Sequence, residues 1–303
     1  MTDEFSNGIV MFLIETKSLK LQLEVVRVDS LLQHEEIIPQ LGNQLMLEFK
    51  NWANLQNPII IGENHIVLDG HHRVYAFRKL GFKHIPVCKI DYHHETAQLR
   101  YWFRLLVNVE NPELLREIVE AMNGDFRHVE DMTSLQGIMD DNRLSFGIQH
   151  GEYFASITFR EDRVRDALSA YDMLEKIQEK LKQRGFEMSY VPCQSVSDEE
   201  FCATLNEGDM LVWTPQITKE MVLETVEKRQ VFPPKTTRHL IPARPINVNA
   251  PIHWFKEDIP LAQINERFVD FLKQKRIRRF GPGQVIEGRY YEEELFVFYD
   301  EKK

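Results

Sequence analysis

Residues 67–77 read VLDGHHRVYAF, and this stretch decides how the N-terminal part of the chain folds. Its first two residues end an apolar run that predicts a strand. Gly70 then permits a tight turn, and residues 75–80 have the apolar spacing of a helix that Gly81 ends. Residues 85–90 read IPVCKI and predict a further strand. A strand, a glycine turn, a helix and a second strand in such close succession predict a compact α/β unit.

The turn from Asp69 to Arg73 has the composition of an anion-binding site. Unbonded N–H groups and the helix dipole favour a phosphate at the start of a helix. Arg73 adds a cation that can bind in a bidentate manner, and His71 and His72 add titratable donors. The Asp69 carboxylate is favourable beside a phosphate only if a cation such as Mg²⁺ lies between them, or if the carboxylate acts as a base. Each residue alone has a structural explanation, Asp69 as a helix cap and the histidines as solvated side chains, but the contiguous set favours a functional site.

The rest of the chain alternates between strand and helix patterns. Before the turn we expect a strand at residues 21–28, a helix from Pro39 to about Leu55, and two short strands at residues 58–61 and 65–68. Beyond Tyr92 the pattern becomes more helical. The later helices are expected at residues 112–122, 164–181, 217–229 and 260–275, and the later strands at residues 153–159, 210–213 and 295–299.

The sequence contains no internal repeat and no low-complexity linker, so we expect two packed domains. A boundary between His93 and Gln98 divides the chain into residues 1–95 and 96–303. The basic run between Lys273 and Arg279 is interpreted as a solvated helix end, where cations are favoured by the helix dipole.

Composition excludes several classes of protein. The 303 residues are 43% apolar and 28% charged, which is typical of a globular protein with a substantial core. The net charge of −10 argues against a general nucleic-acid binder, since binders of polyanions normally carry the opposite sign. Neither a membrane-spanning run nor a signal peptide is expected, and Asp3 and Glu4 lie where a signal peptide would be basic. Three cysteines without metal spacing predict no disulfide framework and no zinc site, so we expect a cytoplasmic protein.

Residues 67–77, followed by Leu80-Gly81 and Ile85-Pro86-Val87, resemble the ParB/sulfiredoxin fold. Within that fold, the Asp-Gly-His-His-Arg form is most similar to the free L-serine kinases, which include the serine kinases of siderophore biosynthesis. Two other stretches support this resemblance: His34-Glu35 in the loop after the first strand, and residues 232–239, which read FPPKTTRH and are followed by Pro242 and Arg244-Pro245. The resemblance implies an α/β (α+β) protein, with an N-terminal ParB/sulfiredoxin-like domain packed against a larger mixed α/β domain that binds substrate.

The resemblance also implies roles for residues near the turn. Glu35 is expected to be the general base for the serine hydroxyl, although Glu36 stands next to it and an ordinary solvated loop glutamate is the alternative. Asp69 is the expected Mg²⁺ ligand, with a share in the base role as an alternative, and His72 is a further catalytic candidate. The phosphates of ATP or ADP are expected to bind Gly70, His71, His72 and Arg73.

On the substrate side, Thr237, Arg238 and His239 are expected to bind the amino-acid carboxylate or the transferred phosphate. Trp102 is a candidate wall of the pocket, with a core tryptophan as the alternative.

The predicted reaction is phosphoryl transfer from ATP or ADP, with Mg²⁺, to free L-serine, giving O-phospho-L-serine. Two alternatives stay open. One is a kinase of the same fold acting on another hydroxy-amino acid or a specialised metabolite. The other is a ParB-like, nucleotide-dependent DNA-binding regulator, against which stand the acidic charge and the lack of a convincing helix-turn-helix after Tyr92.

Overall fold

The computed structural model describes residues 3–6, 9–16, 19–192, 206 and 208–300. The chain divides into two compact units: a first unit of Met1–Gln98 with His239–Lys303, and a second unit of Leu99–Arg238. The division expected from the sequence places residues 239–303 in the second domain, whereas in the structure they cluster with the first unit. Their grouping depends on long-range contacts, which no local sequence pattern reveals.

The α-helices of the described residues are α1 Pro39–Asn51, α2 His71–Lys79, α3 Glu113–Ala121, α4 Met132–Asp141, α5 Ala167–Gln183, α6 Lys219–Glu227 and α7 Leu261–Lys273. Those predicted from apolar spacing are present with slightly different ends, and α4 is an addition. The predicted start of α1 at Pro39 is confirmed, because proline suits the first helical position.

The main sheet of the first unit has six strands in the order β1-β2-β3-β7-β5-β6. The strands are β1 Asp3–Ser6, β2 Ile9–Thr16, β3 Leu19–Arg27, β5 Ile59–Ile61, β6 Val67–Asp69 and β7 His84–Lys89. Strand β7 lies antiparallel to β3 and parallel to β5, which pairs with β6 in antiparallel orientation. The chain leaves β6 at the glycine turn and enters α2, so the turn lies where the last strand of the sheet ends.

Helices cover this sheet and fix the turn. α1 packs on α2, and α7 packs on β2 and β3. The α7 side chain of Asn265 donates to the carbonyl of Val25 and accepts from its N–H, both at 2.8 Å. The ring of Phe77 on α2 stacks on Phe82 with centroids 4.2 Å apart. Buried apolar surface and satisfied backbone groups thus hold both α2 and the C-terminal segment in the first unit.

Further strands complete the first unit. They form a three-stranded sheet in the order β15-β20-β17, a β4–β16 pair and a β18–β19 hairpin. The strands are β4 Asn54–Leu55, β15 Ala243–Ile246, β16 Ala250–Pro251, β17 Lys275–Phe280, β18 Gln284–Ile286, β19 Arg289–Tyr291 and β20 Glu294–Asp300.

The interpretation of the basic run as a helix end is wrong over most of its length. Helix α7 ends at Lys273, and β17 begins at Lys275. The strand lies at a sheet edge, and its cations pair with acids on β20: Lys275 with Asp300 at 2.7 Å and Arg279 with Glu294 at 2.8 Å.

The second unit is built on a seven-stranded sheet in the order β12-β8-β13-β10-β11-β9, with β14 pairing with β8. The strands are β8 Gln98–Leu106, β9 Gly124–Val129, β10 Phe146–His150, β11 Tyr153–Phe159, β12 Met188–Pro192, β13 Met210–Trp213 and β14 Thr237–Leu240. Its core includes Phe103, Leu135, Leu211 and Trp213. The pattern beyond Tyr92 predicts mainly helix, but the first element there is strand β8, whose aromatic residues favour a strand.

Two expectations about composition concern the described residues. Among these residues, no helix is long and apolar enough to cross a membrane. Cys88 is a buried thiol without a disulfide partner, and burial raises its pKa. Cys193 and Cys202 lie outside the described residues.

Candidate phosphate-binding site

The turn at Gly70 can be made only by a residue without a side chain. Gly70 has φ +111°, in the left-handed region, and is the N-cap of α2. A Cβ atom there would lie 2.6 Å from Ile59 Cγ2. Because glycine offers no capping side chain, the first N–H groups of α2 point out from the helix end. This geometry suits an anion, and the assignment of Gly70 to phosphate binding stays a prediction.

Asp69 lies between two arginines. Its Oδ2 accepts from Arg244 at 2.5 Å and from Arg73 at 3.0 Å, while Oδ1 makes neither contact. Burial alone would raise the pKa of Asp69, but the charges of Arg244 and Arg73 outweigh it and hold this pKa well below its usual range. Asp69 is therefore a carboxylate at neutral pH. It does not cap α2, so the structural alternative for this residue is wrong.

Arg73 is fixed by protein groups. Besides Asp69, its guanidinium donates to the carbonyl oxygens of Asn57 at 2.7 Å and Pro58 at 3.0 Å. These bonds orient the carboxylate of Asp69 and use much of the donor capacity that the sequence analysis assigns to phosphate. Arg73 as a phosphate ligand stays a prediction.

Arg244 and Glu293 complete the surroundings of Asp69, and sequence reasoning did not single them out as site residues. The side chain of Arg244 is only 8% exposed and donates to Glu293 Oε1 at 2.7 Å as well as to Asp69. Burial would lower the pKa of Arg244, but the negative charges of Asp69 and Glu293 outweigh burial and raise this pKa above its usual value. We call Asp69, Arg73, Arg244 and Glu293 the Asp69 cluster. The only sequence signal for it was Arg244-Pro245 near the segment at residues 232–239.

His72 connects the turn to α1. Its Nε2 lies 3.0 Å from the N–H of Ile38 and accepts from it. Ile38 is the N-cap of α1, so His72 satisfies a backbone donor at the start of that helix. An accepting Nε2 requires a neutral ring with its proton on Nδ1, a tautomer inferred from this bond. The contact gives His72 a positioning role, and its catalytic and phosphate-binding roles stay predictions.

A cluster of aromatic rings lies beside the turn. The ring of His34 makes edge contacts with His71 and His239, with centroids 4.7 Å and 5.1 Å away. His239 Nε2 lies 2.9 Å from the hydroxyl of Tyr92. Burial lowers the pKa of His34 well below its usual value, and burial lowers that of His71 to about 4. Both rings are therefore neutral at physiological pH.

Glu35 follows His34 directly and is half-buried, whereas Glu36 is exposed. Both lie in the loop before α1. Since His34 contacts His71, the backbone brings Glu35 to the neighbourhood of the turn. Its role as general base stays a prediction, and the exposure of the two glutamates favours Glu35 over Glu36.

In the second unit, Trp102 and Thr237 are joined. The indole Nε1 of Trp102 donates to the Thr237 carbonyl at 3.0 Å, and Lys235 Nζ lies 4.1 Å from the centre of the Trp102 ring. Trp102 is half-buried, so the alternative of a core tryptophan does not apply. Arg238 is half-buried on the same strand as Thr237.

The structure thus groups the predicted residues in two sets. The first unit holds Glu35, Asp69, Gly70, His71, His72, Arg73 and His239, and the second unit holds Trp102, Thr237 and Arg238. The described residues contain no group of three or more His, Cys, Asp or Glu side chains that could hold a metal ion. Mg²⁺ commonly binds through one or two carboxylates together with phosphate oxygens and water, and the ionised Asp69 fits that mode.

The α/β fold of this chain is similar to that of solved free serine kinases. A variant of a free serine kinase in complex with ADP superimposes with a TM-score of 0.59, at 19% identity, over 77% of this chain and 93% of that chain. This likeness confirms the fold implied by the resemblance.

The sequence comparison agrees with the structural one. An ATP-dependent L-serine kinase of Staphylothermus marinus is 28% identical over 242 residues, covering 77% of this chain and 90% of the relative. An ADP-dependent L-serine kinase of Thermococcus kodakarensis is 22% identical, covering 76% of this chain and 91% of the relative. No protein-family model matches the chain. The resemblance to the free L-serine kinases, first seen in residues 67–77, is confirmed over most of the chain.

Proposed function

We propose that this protein is a phosphotransferase that moves a phosphoryl group from ATP or ADP to the hydroxyl of free L-serine, giving O-phospho-L-serine. The observation that carries the proposal is the turn itself: an ionised Asp69 at the strand end, a glycine N-cap and an uncapped helix start. Relatives named as L-serine kinases, which match three quarters of the chain, supply the reaction class.

A kinase of this kind works mainly by positioning and by stabilising charge on the transferred group. The N–H groups at the start of α2 bind phosphate oxygens, and His71, neutral at physiological pH, can donate or accept a hydrogen bond there. Glu35 accepts the proton of the serine hydroxyl as oxygen approaches phosphorus. His72 holds the start of α1, next to the loop that carries Glu35.

Asp69 is the residue that would hold Mg²⁺. When bound, Mg²⁺ neutralises charge on the phosphate oxygens. Arg73 and Arg244 hold the Asp69 carboxylate ionised, and Oδ1 makes neither of these contacts.

Three consecutive residues are assigned to the amino-acid substrate. Thr237, Arg238 and His239 bind its carboxylate or the transferred phosphate, and Trp102 forms a wall of the pocket. The bond from Trp102 to Thr237 fixes the indole for that purpose.

The test is a substrate panel read by mass spectrometry. Purified protein is incubated with Mg²⁺, either ATP or ADP, and one of L-serine, L-threonine or L-homoserine. We expect O-phospho-L-serine with at least one donor and less product from the other acceptors. A phosphorylated product only from another acceptor would move the substrate assignment. No phosphorylated amino acid with either donor would overturn the proposal.

A further inference from the structure

The charges of the Asp69 cluster cancel. It contains two arginines and two carboxylates, and its arginines donate to those carboxylates and to the carbonyls of Asn57 and Pro58. A nucleoside diphosphate carries several negative charges. Its binding beside a neutral cluster calls for a cation that protein acceptors do not already hold.

The β18–β19 hairpin brings such a cation to the site. Arg289 is exposed, and its guanidinium carbon lies 4.9 Å from the centre of the Tyr291 ring. A cation–π contact orients a guanidinium without using its N–H donors, which stay available to a ligand. Four residues after Arg289, Glu293 accepts from Arg244 at 2.7 Å, so the chain that follows the hairpin leads into the Asp69 cluster.

The hairpin is anchored on both sides of Arg289. On one side, Tyr291 is buried in a cluster with Ile246, Leu295 and Val297. On the other side, the exposed Glu287 accepts from Gln56 Nε2 at 3.0 Å.

This second anchor ties the hairpin to the segment Asn57-Pro58, whose carbonyl oxygens accept from Arg73. Gln56 directly precedes Asn57, whose carbonyl binds Arg73. Two carboxylates on either side of Arg289 are held by other groups, Glu287 by Gln56 and Glu293 by Arg244.

We propose that Arg289 is a phosphate-binding residue, which contacts the terminal phosphates of the nucleotide from the C-terminal hairpin. The inference rests on the proposed kinase function, because it assigns a residue to the nucleotide of that reaction. It also gives residues 284–291 a role that the glycine turn alone would not suggest.

Isothermal titration calorimetry with ADP and with adenosine tests the inference. The variants are Arg289→Gln, the charge-preserving Arg289→Lys, and the control Arg276→Gln. Arg276 is an exposed arginine at the start of β17, opposite Tyr299, whereas the site lies toward the Phe280 end of that strand. Arg289 is exposed, so its replacement leaves the core intact.

We expect Arg289→Gln to weaken ADP binding by about tenfold, the effect of losing one hydrogen bond to a charged group, while adenosine binding stays unchanged. Arg289→Lys should keep most of the ADP affinity, and Arg276→Gln should change it by less than about twofold. Unchanged ADP affinity in Arg289→Gln, or an equal loss of affinity for adenosine, would overturn the inference about Arg289 and leave the proposed kinase function standing. If the unaltered protein binds neither ligand, the proposed function falls and the inference falls with it.

Discussion

Replacing Arg244 with methionine tests the structural centre of the site. The substitution keeps the volume of the side chain roughly constant but removes the cation that joins Asp69 to Glu293. Arg244 is 8% exposed and Glu293 is 13% exposed, so water can replace little of what is lost. Removing one partner of a buried ion pair leaves the other charge uncompensated, which is more damaging than losing the pair as a whole.

The magnitude follows from the two contacts. Hydrogen bonds to charged groups contribute about 1.5–3 kcal/mol each, so the two together give about 3–6 kcal/mol. Asp69 is 35% exposed and keeps Arg73, which reduces its share through solvent screening. We therefore expect Arg244→Met to destabilise the first unit by about 3 kcal/mol. For a unit of 150–250 residues this corresponds to a fall in Tm of about 6–12 °C.

The assay is thermal unfolding followed by circular dichroism, with Arg279→Met as the matched control. Arg279 makes two hydrogen bonds to Glu294, at 2.9 Å and 2.8 Å, but its side chain is 51% exposed. An exposed pair contributes at most about 1 kcal/mol, so this control should shift Tm by only a few degrees. Equal Tm shifts in the two variants would refute the argument that burial makes the Asp69 cluster important.

Three other predictions concern the turn and the second unit. Gly70→Ala should lower the free energy of unfolding by at least about 1 kcal/mol and weaken ADP binding in calorimetry, because the added Cβ would collide with Ile59. The control is Gly137→Ala on α4, where the added Cβ has no neighbour within 4 Å, so this variant should be neutral or stabilising. His71 has a folded-state pKa of about 4, so its stabilising contribution is complete above the unfolded value of 6.5 and is lost as pH falls toward 4. Urea unfolding at pH 7 and pH 5 should therefore show a pH-dependent loss smaller by about 2 kcal/mol in His71→Gln, and an unchanged loss would contradict the burial of a neutral ring. Trp102→Phe removes the bond to the Thr237 carbonyl and should raise KM for serine several-fold in initial-rate assays with little change in KM for nucleotide; the reverse pattern would move Trp102 out of the serine pocket.

The parts of the site that the sequence predicted are the local ones. A strand, a glycine turn and a helix are encoded within residues 67–81, so Gly70 and the start of α2 could be placed without a structure. The start of α1 at Pro39 was predictable for the same reason, since its signal lies in the helix itself. Local patterns also indicated that Asp69 would lie beside the helix start.

The remaining parts depend on contacts between distant segments. Arg244 contacts Asp69 across 175 positions of the chain, and nothing in either neighbourhood states that they meet. The same holds for Asn265 and Val25, which are 240 positions apart and tie α7 to the first unit. Periodicity reports which face of an element is apolar, but not which other element covers that face.

Two of the wrong interpretations arose where the local sequence pattern is ambiguous. The basic run after α7 carries no signal that separates a solvated helix end from a charged edge strand, since both expose cations to water. Strand β8 mixes aromatic and aliphatic residues without strict alternation, and its exposed, intermediate and buried positions follow no period of two. In both places the tertiary context decides the structure.

The central claim is that Glu35 removes the proton from the serine hydroxyl at a site built around Gly70. The most direct measurement compares Glu35→Gln with Glu36→Gln, following O-phospho-L-serine formation from L-serine, Mg²⁺ and whichever of ATP or ADP is the donor. Loss of a general base lowers kcat by about 10²–10⁴-fold, so Glu35→Gln should lose at least about a hundredfold in kcat while binding ADP with unchanged affinity. Glu36 is exposed, and its replacement should change kcat by less than about threefold. Full activity in Glu35→Gln, or an equal loss in Glu36→Gln, would contradict the account.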